Sequence, residues 1–79
     1  MVNLSIGQII KIERIKQNLK QKELAKMAGI SNTYLSDIES SRNDPSLKSL
    51  HKITSAMGIK IEDVLAMSNY NEIGQNKIV

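Results

Sequence analysis

Apolar residues recur along this chain at intervals of three and four, and no segment alternates with a period of two, so the pattern predicts helices and no strands. Ser5-Ile6-Gly7-Gln8 has the form of a capping box, with the serine hydroxyl accepting from the Gln8 amide while the Gln8 side chain reaches back. Leu4 and Ile9 sit at the positions of a hydrophobic staple around it. A first helix then runs to about Gln17, with Ile6, Ile10 and Leu19 at core-compatible spacing. Gln21 to Ala28 forms a second, stopped by Gly29, whose missing Cβ permits a left-handed residue at the helix end. Ser31 caps a third helix, Asn32 to about Ser40, with Leu35 and Ile38 pointing inward. Asn43-Asp44-Pro45 breaks the chain, and Ser46 caps a fourth helix, Leu47 to Met57, carrying the stripe Leu47, Leu50, Ile53, Ala56 and Met57. Gly58 ends that helix, and Glu62-Asp63 open a short fifth, where their charge suits the positive end of the dipole. From Asn69 onward the chain is polar. The expected organisation is one all-α domain over residues 1–68 followed by a frayed tail, 69–79.

Composition narrows the chemistry. Seventy-nine residues bury about 60–65% of the unfolded surface, enough for one modest core. At 41% hydrophobic residues the chain is too aliphatic for a disordered segment, although Tyr34 and Tyr70 are its only aromatics. The absence of cysteine excludes disulfides and thiolate zinc sites. A single histidine, His51, reads as a surface residue and leaves little material for a metal cluster or a nucleophile–histidine pair. The adjacent carboxylates Glu62 and Asp63 diverge by about 100° on a helix, so they read as a helix start and not as a catalytic pair. Of the four methionines, two fall on core stripes, which explains them by packing. No apolar run approaches 18 residues. These features predict a soluble, cytoplasmic binding domain with no catalytic residues, no metal, no cofactor and no small-molecule ligand.

Eleven basic residues against eight acidic ones give a net charge of +3, a modest excess. Its distribution is uneven. Residues 1–30 hold six cations (Lys11, Arg14, Lys16, Lys20, Lys22, Lys26) against Glu13 and Glu23, a local charge of +4. Residues 31–79 hold five cations against six acids, a local charge of −1. An asymmetric positive field attracts polyanions, although charge alone is equally served by a solvated helical face.

The stretch QKELAKMAGISNTYLSDIES, residues 21–40, carries the strongest signal. Two helices of about eight residues meet at Ala28-Gly29-Ile30-Ser31. Ala25 must be small where the second helix passes close, and Gly29 must allow a positive φ. Leu24, Ile30, Leu35 and Ile38 fill the wedge between them. That is the grammar of a helix-turn-helix; a plain helical hairpin would not need Ala25 and Gly29 together.

Ile6-Gly7 with Arg14, Gln21-x-x-Leu24-Ala25, Ala28-Gly29-Ile30-Ser31, Tyr34-Leu35-Ser36-x-Ile38-Glu39 and Pro45-Ser46-Leu47 leading to Leu50 and Ile53 together resemble the Cro/repressor (XRE-type) family of bacterial and phage transcription regulators. The resemblance spans roughly residues 5–67. It implies a five-helix bundle of the lambda-repressor-like type that binds double-stranded operator DNA, usually as a dimer. By the same resemblance Gln21 contacts phosphate at the start of the second helix, where free backbone N–H groups also suit an anion. Asn32, Thr33, Ser36 and Asp37 occupy the exposed face of the recognition helix. Asn pairs with adenine, the threonine methyl meets a thymine methyl, and an aspartate accepts from cytosine N4. Lys20, Lys22, Ser31, Tyr34, Arg42, Asn43 and Ser46 are placed for sugar–phosphate contacts, which fix register without reading sequence. Arg14 and Glu39 match an internal salt bridge of the family and are read as structural.

The chain departs from the family pattern in four places. Lys20 stands where Ser or Thr usually caps the second helix, and Ser41 replaces a glycine after the recognition helix. Asn43 and Asp44 fall in a loop that is often basic. Glu13 takes a usual core position, while Ile9, Ile12 and Ile15 give the first helix an additional apolar face. That face is covered by the N-terminus or by Ile73, Ile78 and Val79, or else it binds a partner protein. A homodimer on a palindromic operator follows from the size of one recognition helix, with Ile59, Ile61, Val64 and Leu65 as the expected seam. Two rival readings stand beside the repressor. One is a restriction–modification controller, and the other is a protein-interaction module such as an antitoxin or anti-repressor subunit, in which Gln21, Lys22, Asn32 and Thr33 would be dispensable.

Overall fold

The computed structural model describes residues 4–68, and the tail expected over 69–79 lies outside them. Five helices follow one another: α1 (Ile6–Lys16), α2 (Gln21–Ala28), α3 (Asn32–Glu39), α4 (Leu47–Met57) and α5 (Ile61–Met67). The only strand-like pairing among the described residues is an isolated parallel bridge between Leu4 and Ser68. The expected all-α fold is the one observed.

Local chemistry sets the helix ends. Ser5 Oγ accepts from the Gln8 amide at 3.2 Å, while Gln8 Oε1 accepts from the Ser5 amide at 2.9 Å, completing the capping box. Ser31 and Ser46 cap α3 and α4 in the same way, accepting from Tyr34 and Ser49. Gly29 and Gly58 close α2 and α4 at φ 71° and 69°. The Lys20 side chain, which has no acceptor, gives no cap hydrogen bond. Glu23 supplies part of the missing function, its Oε1 accepting from the Lys20 amide at 2.8 Å.

The core joins all five helices through Ile10, Leu24, Leu35, Ile38, Leu50, Ile53 and Val64, each at most 1% exposed. Helix α3 packs on α1 and α2, α4 packs on α2 and α1, and α5 lies against α1 and α4. Gly7 is needed at the α1–α3 crossing, since a Cβ there would overlap the carbonyl oxygen of Ile38.

Four expectations need correction. Leu47 does not join the core stripe of α4 but is 62% exposed. The buried residues Leu50, Ile53, Thr54 and Met57 centre an arc about 70° from Leu47 at 100° per residue, so Leu47 lies at its edge. Thr54 takes the buried place, its hydroxyl satisfied by the His51 carbonyl at 3.2 Å. Ile9 is not part of an outward face but 3% exposed, because it falls beside Ile6 and Ile10 on the same arc. Ile12 and Ile15 remain outside at 46% and 56%, and Glu13, half-buried, pairs with Lys16 at 3.5 Å. Of Met27, Met57 and Met67, only Met57 is buried. Val64 is fully buried inside this chain, which removes it from any seam, while Ile59, Ile61 and Leu65 are half-buried. His51 is exposed.

Candidate nucleic-acid interface

The α2–turn–α3 unit is held by backbone geometry before side chains enter. Gly29 donates to the Lys26 carbonyl at 3.2 Å and Ile30 to the Ala25 carbonyl at 3.0 Å, so the helix ends in a left-handed turn. Ala25, 2% exposed, lets α3 pass close, and Leu24, Leu35 and Ile38 lock the crossing. This leaves Asn32 and Thr33 exposed at the start of α3, with Ser36 and Asp37 half-buried one turn further on.

The C-terminal end of α3 is stitched to the loop that follows. The Asp37 carbonyl accepts from the Arg42 amide at 2.9 Å, the Asn43 amide at 3.2 Å and the Ser40 hydroxyl at 3.2 Å. Ser41 takes φ 64°, the left-handed turn for which a glycine is the usual residue, and its hydroxyl meets that of Ser5 at 3.0 Å. The departure from the glycine pattern therefore leaves the loop geometry intact. Arg42 Nε donates to Ser40 Oγ at 3.2 Å and lies 3.8 Å from an Asp37 carboxylate oxygen. The Asp37 carboxylate thus has a cation beside it, contributed by the loop.

Beneath the start of α2 lies a buried polar network. Arg14 donates to both oxygens of Glu39, Nε to Oε2 at 2.7 Å and Nη2 to Oε1 at 3.0 Å, and to the Leu19 carbonyl at 2.8 Å. The expected internal salt bridge is present, with the Glu39 side chain only 3% exposed. Gln21 joins it, its Nε2 donating to Glu39 Oε1 at 3.1 Å. Bidentate geometry and a third donor satisfy the buried carboxylate.

The residues expected to face a duplex are distributed as follows. Lys20, Lys22, Ser31, Asn32, Thr33, Arg42, Asn43 and Ser46 are exposed. Gln21, Tyr34, Ser36 and Asp37 are half-buried and partly engaged within the protein. The Tyr34 hydroxyl donates to Ser49 Oγ at 3.2 Å, tying α3 to α4, and Ser46 serves as the α4 cap. Two features escaped sequence reasoning. One is the coupling of Gln21 to the Arg14–Glu39 pair. The other is an open notch of about 220 Å³ lined by Lys11, Arg14, Gln21, Ser36, Glu39 and Ser40. The signal for the second was present in the i, i+4, i+7 spacing of Gly7, Lys11 and Arg14, which puts all three toward α3.

Two short helices crossed over a glycine turn, the second showing a polar face beside exposed lysines, define a helix-turn-helix DNA-binding domain of a transcription regulator. The chain belongs to the Helix-turn-helix family of the Cro/C1 (XRE) type, whose profile matches residues 10–64. It is 39% identical over 62 residues to the immunity repressor protein of Bacillus phage phi105, a match covering 78% of this chain and 43% of that protein. The matched stretch is thus under half of that repressor's length. It is 32% identical over 77 residues to the control protein C.BamHI of Bacillus amyloliquefaciens, covering 96% of this chain and 95% of that one. Its fold superposes with a TM-score of 0.73 on the chain crystallised as SinR, the master regulator for biofilm formation, in complex with DNA, at 34% identity over 76% of this chain and 97% of that crystallised chain.

Proposed function

We propose that the chain is a sequence-specific transcription regulator, in the main a repressor, that binds a palindromic operator as a homodimer and reads the major groove with α3. The carrying observation is the exposed pair Asn32–Thr33 at the N-terminal end of α3, flanked by the exposed cations of the α2 start. Helix α3 has eight residues and so is about 12 Å long, matched to a major groove about 12 Å wide. Asn32 and Thr33 read bases; Lys20, Lys22, Ser31, Arg42, Asn43 and Ser46 hold the backbone. Gln21 and Tyr34 add to the backbone set from their anchored positions, and Ser36 and Asp37 line the edge of the reading face. The similarity to a phage immunity repressor and to a regulator crystallised on DNA supports this reading.

A second reading within the class has its own observation. The similarity to the control protein C.BamHI runs over nearly the full length of both chains, which favours a restriction–modification controller protein.

Selection of bound sequences from random duplex DNA tests the function. Enrichment of a palindrome whose half-sites lie about one helical turn, 10 bp, apart is the expected outcome. A folded protein that enriches nothing at low salt would be an interaction module instead. A promoter bearing the enriched site, transcribed with and without the protein, separates repression from activation.

A further inference from the structure

Helix α1 carries an apolar strip on the side turned away from the core. Ile12 and Ile15 are both exposed there, about 140° and 160° round the helix from the midline between the buried Ile6 and Ile10. Single apolar side chains are ordinary on a surface, but residues three apart on a helix are neighbours, so these two form one patch. The exposed Lys11 and Lys16 border it. The described chain ends close to the start of this helix. Ser68 leaves α5 with extended backbone, φ −97° and ψ 162°, and is 7% exposed. Its hydroxyl donates to the Leu65 carbonyl at 3.1 Å, and it pairs with Leu4, which precedes α1 by two residues. The pairing is parallel, so the chain leaves Ser68 in the direction in which it leaves Leu4 for α1. The distances fit. Measured along the axis from the first residue of α1, Ile12 lies about 9 Å away and Ile15 about 14 Å. Ile73 follows Ser68 by five residues and has a reach of about 17 Å, while Ile78 follows by ten and has a reach of about 33 Å. The otherwise polar stretch 69–79 thus brings Ile73, Ile78 and Val79 within range of the strip, with the acidic Glu72 beside Ile73 to meet the bordering lysines.

We propose that residues 69–79 of the same chain dock along the outer face of α1, with Ile73 seated on Ile12 and Ile78 and Val79 covering Ile15. The segment is then a further packed layer of the bundle and not a frayed end. The driving force is the removal of apolar surface from water on both partners. The buried, paired Ser68 reduces the cost of docking, because it holds the segment beside α1 and leaves only a short loop to close. A separate molecule on the same strip would also lose its translational and rotational freedom, which a tethered segment has already given up. The inference is independent of the reading of α3.

The chain has no cysteine, so Asn76→Cys gives a nitroxide label a single attachment site between Ile73 and Ile78. In the nitrogen-15-enriched full chain the label is expected to broaden the amide signals of Gln8, Ile12, Ile15 and Lys16, and its chemical reduction to sharpen them again. The broadening is expected to fall several-fold in Ile12→Gln with Ile15→Gln. Equal broadening with and without the two isoleucines, as a loosely tethered segment gives, overturns the proposal. In an equal mixture of labelled, unenriched chain and unlabelled, enriched chain, the α1 signals are expected to stay sharp; broadening there assigns the strip to a second copy and overturns it as well. Thermal melts supply the energetic test. Glutamine forms helix at least as well as isoleucine, and surface substitutions ordinarily change little, so an uncovered strip predicts no loss from Ile12→Gln with Ile15→Gln. Docking predicts a melting temperature several degrees lower. It predicts a similar fall for Ile73→Gln with Ile78→Gln, and little further fall when the two pairs are combined. Unchanged melting temperatures in both pairs overturn the proposal and leave the strip open to another protein. Falls that add in full also overturn it, because the two apolar patches would then be buried in separate places.

Discussion

Asn32 and Lys22 are both exposed polar residues within the same twenty-residue stretch, yet they should fail in different ways when removed. A side chain that pairs with a base edge contributes to one sequence over another, whereas a lysine on a phosphate contributes to all sequences alike. Asn32→Ala is expected to relax base preference at one operator position by roughly 1–3 kcal/mol and to leave the salt slope unchanged. Lys22→Ala is expected to weaken every duplex and to reduce the slope by about one. Competition binding against single-position operator variants, run at two salt concentrations, separates the two. Ser41 belongs at this scale as well. Its φ of 64° is a conformation that costs an L-residue about 1–2 kcal/mol, and a β-branched side chain suffers more. Urea unfolding should show Ser41→Val losing at least 1 kcal/mol, roughly, relative to Ser41→Gly.

Between elements, two contacts decide how α3 is presented. At the α1–α3 crossing there is no room for a methyl group, because Gly7 faces the Ile38 carbonyl. Gly7→Ala must move one helix away from the other, so it is expected to destabilise the fold by roughly 1–3 kcal/mol despite alanine's better helix propensity. Chemical denaturation measures this directly, and a stabilised variant would contradict the crossing. The second contact is the buried Arg14–Glu39 pair. Removing the arginine alone strands a carboxylate that is 3% exposed, and Arg14→Met should cost about 3–5 kcal/mol. Replacing both partners, as in Arg14→Met with Glu39→Leu, removes the stranded charge and should recover part of that loss. The double variant is nevertheless expected to bind DNA less well than its stability suggests, since Gln21 loses the group that orients its amide. A double variant that binds as wild type does would show that the orientation of Gln21 has no role.

For the whole molecule, the relevant quantities are charge, size and copy number. The first 30 residues carry +4 and the remainder −1, so the positive field comes from α1 and α2, while α3 holds Asp37 and Glu39 and no cation, its acids offset by Arg42 and Arg14. On the proposed reading, non-specific attraction is moderate and short polar side chains on α3 make the distinction between sequences. One helix of eight residues spans only a few base pairs. In the proposed homodimer a second copy would double the reading surface, and the half-buried Ile59, Ile61 and Leu65, with the exposed Met67, are the apolar groups of the α5 region left to form its seam. Ile61→Lys is expected to leave the helical signal intact, to shift sedimentation toward the monomer and to lower affinity for the palindrome toward that for a single half-site. A variant that remains dimeric in the ultracentrifuge would place the seam elsewhere.

Periodicity, capping serines and the two helix-ending glycines determined the elements of this protein, because each of these signals acts within one or two helical turns. The helix-turn-helix was legible for the same reason: Ala25, Gly29, Leu35 and Ile38 lie within fourteen consecutive residues. So was the exposed start of α3, which follows from knowing its apolar side. The tertiary structure decided what depends on the distance between elements far apart in sequence. It placed Ile9 inside and Leu47 outside, where the spacing alone had suggested the reverse. It closed Val64 into the core and so took it out of the expected dimer seam. It also set Lys11 and Ser36 on the lining of one notch and turned Gln21 onto Glu39. No local rule contains those distances, since they arise only when five apolar stripes, each ambiguous at its edges, are satisfied by one common core.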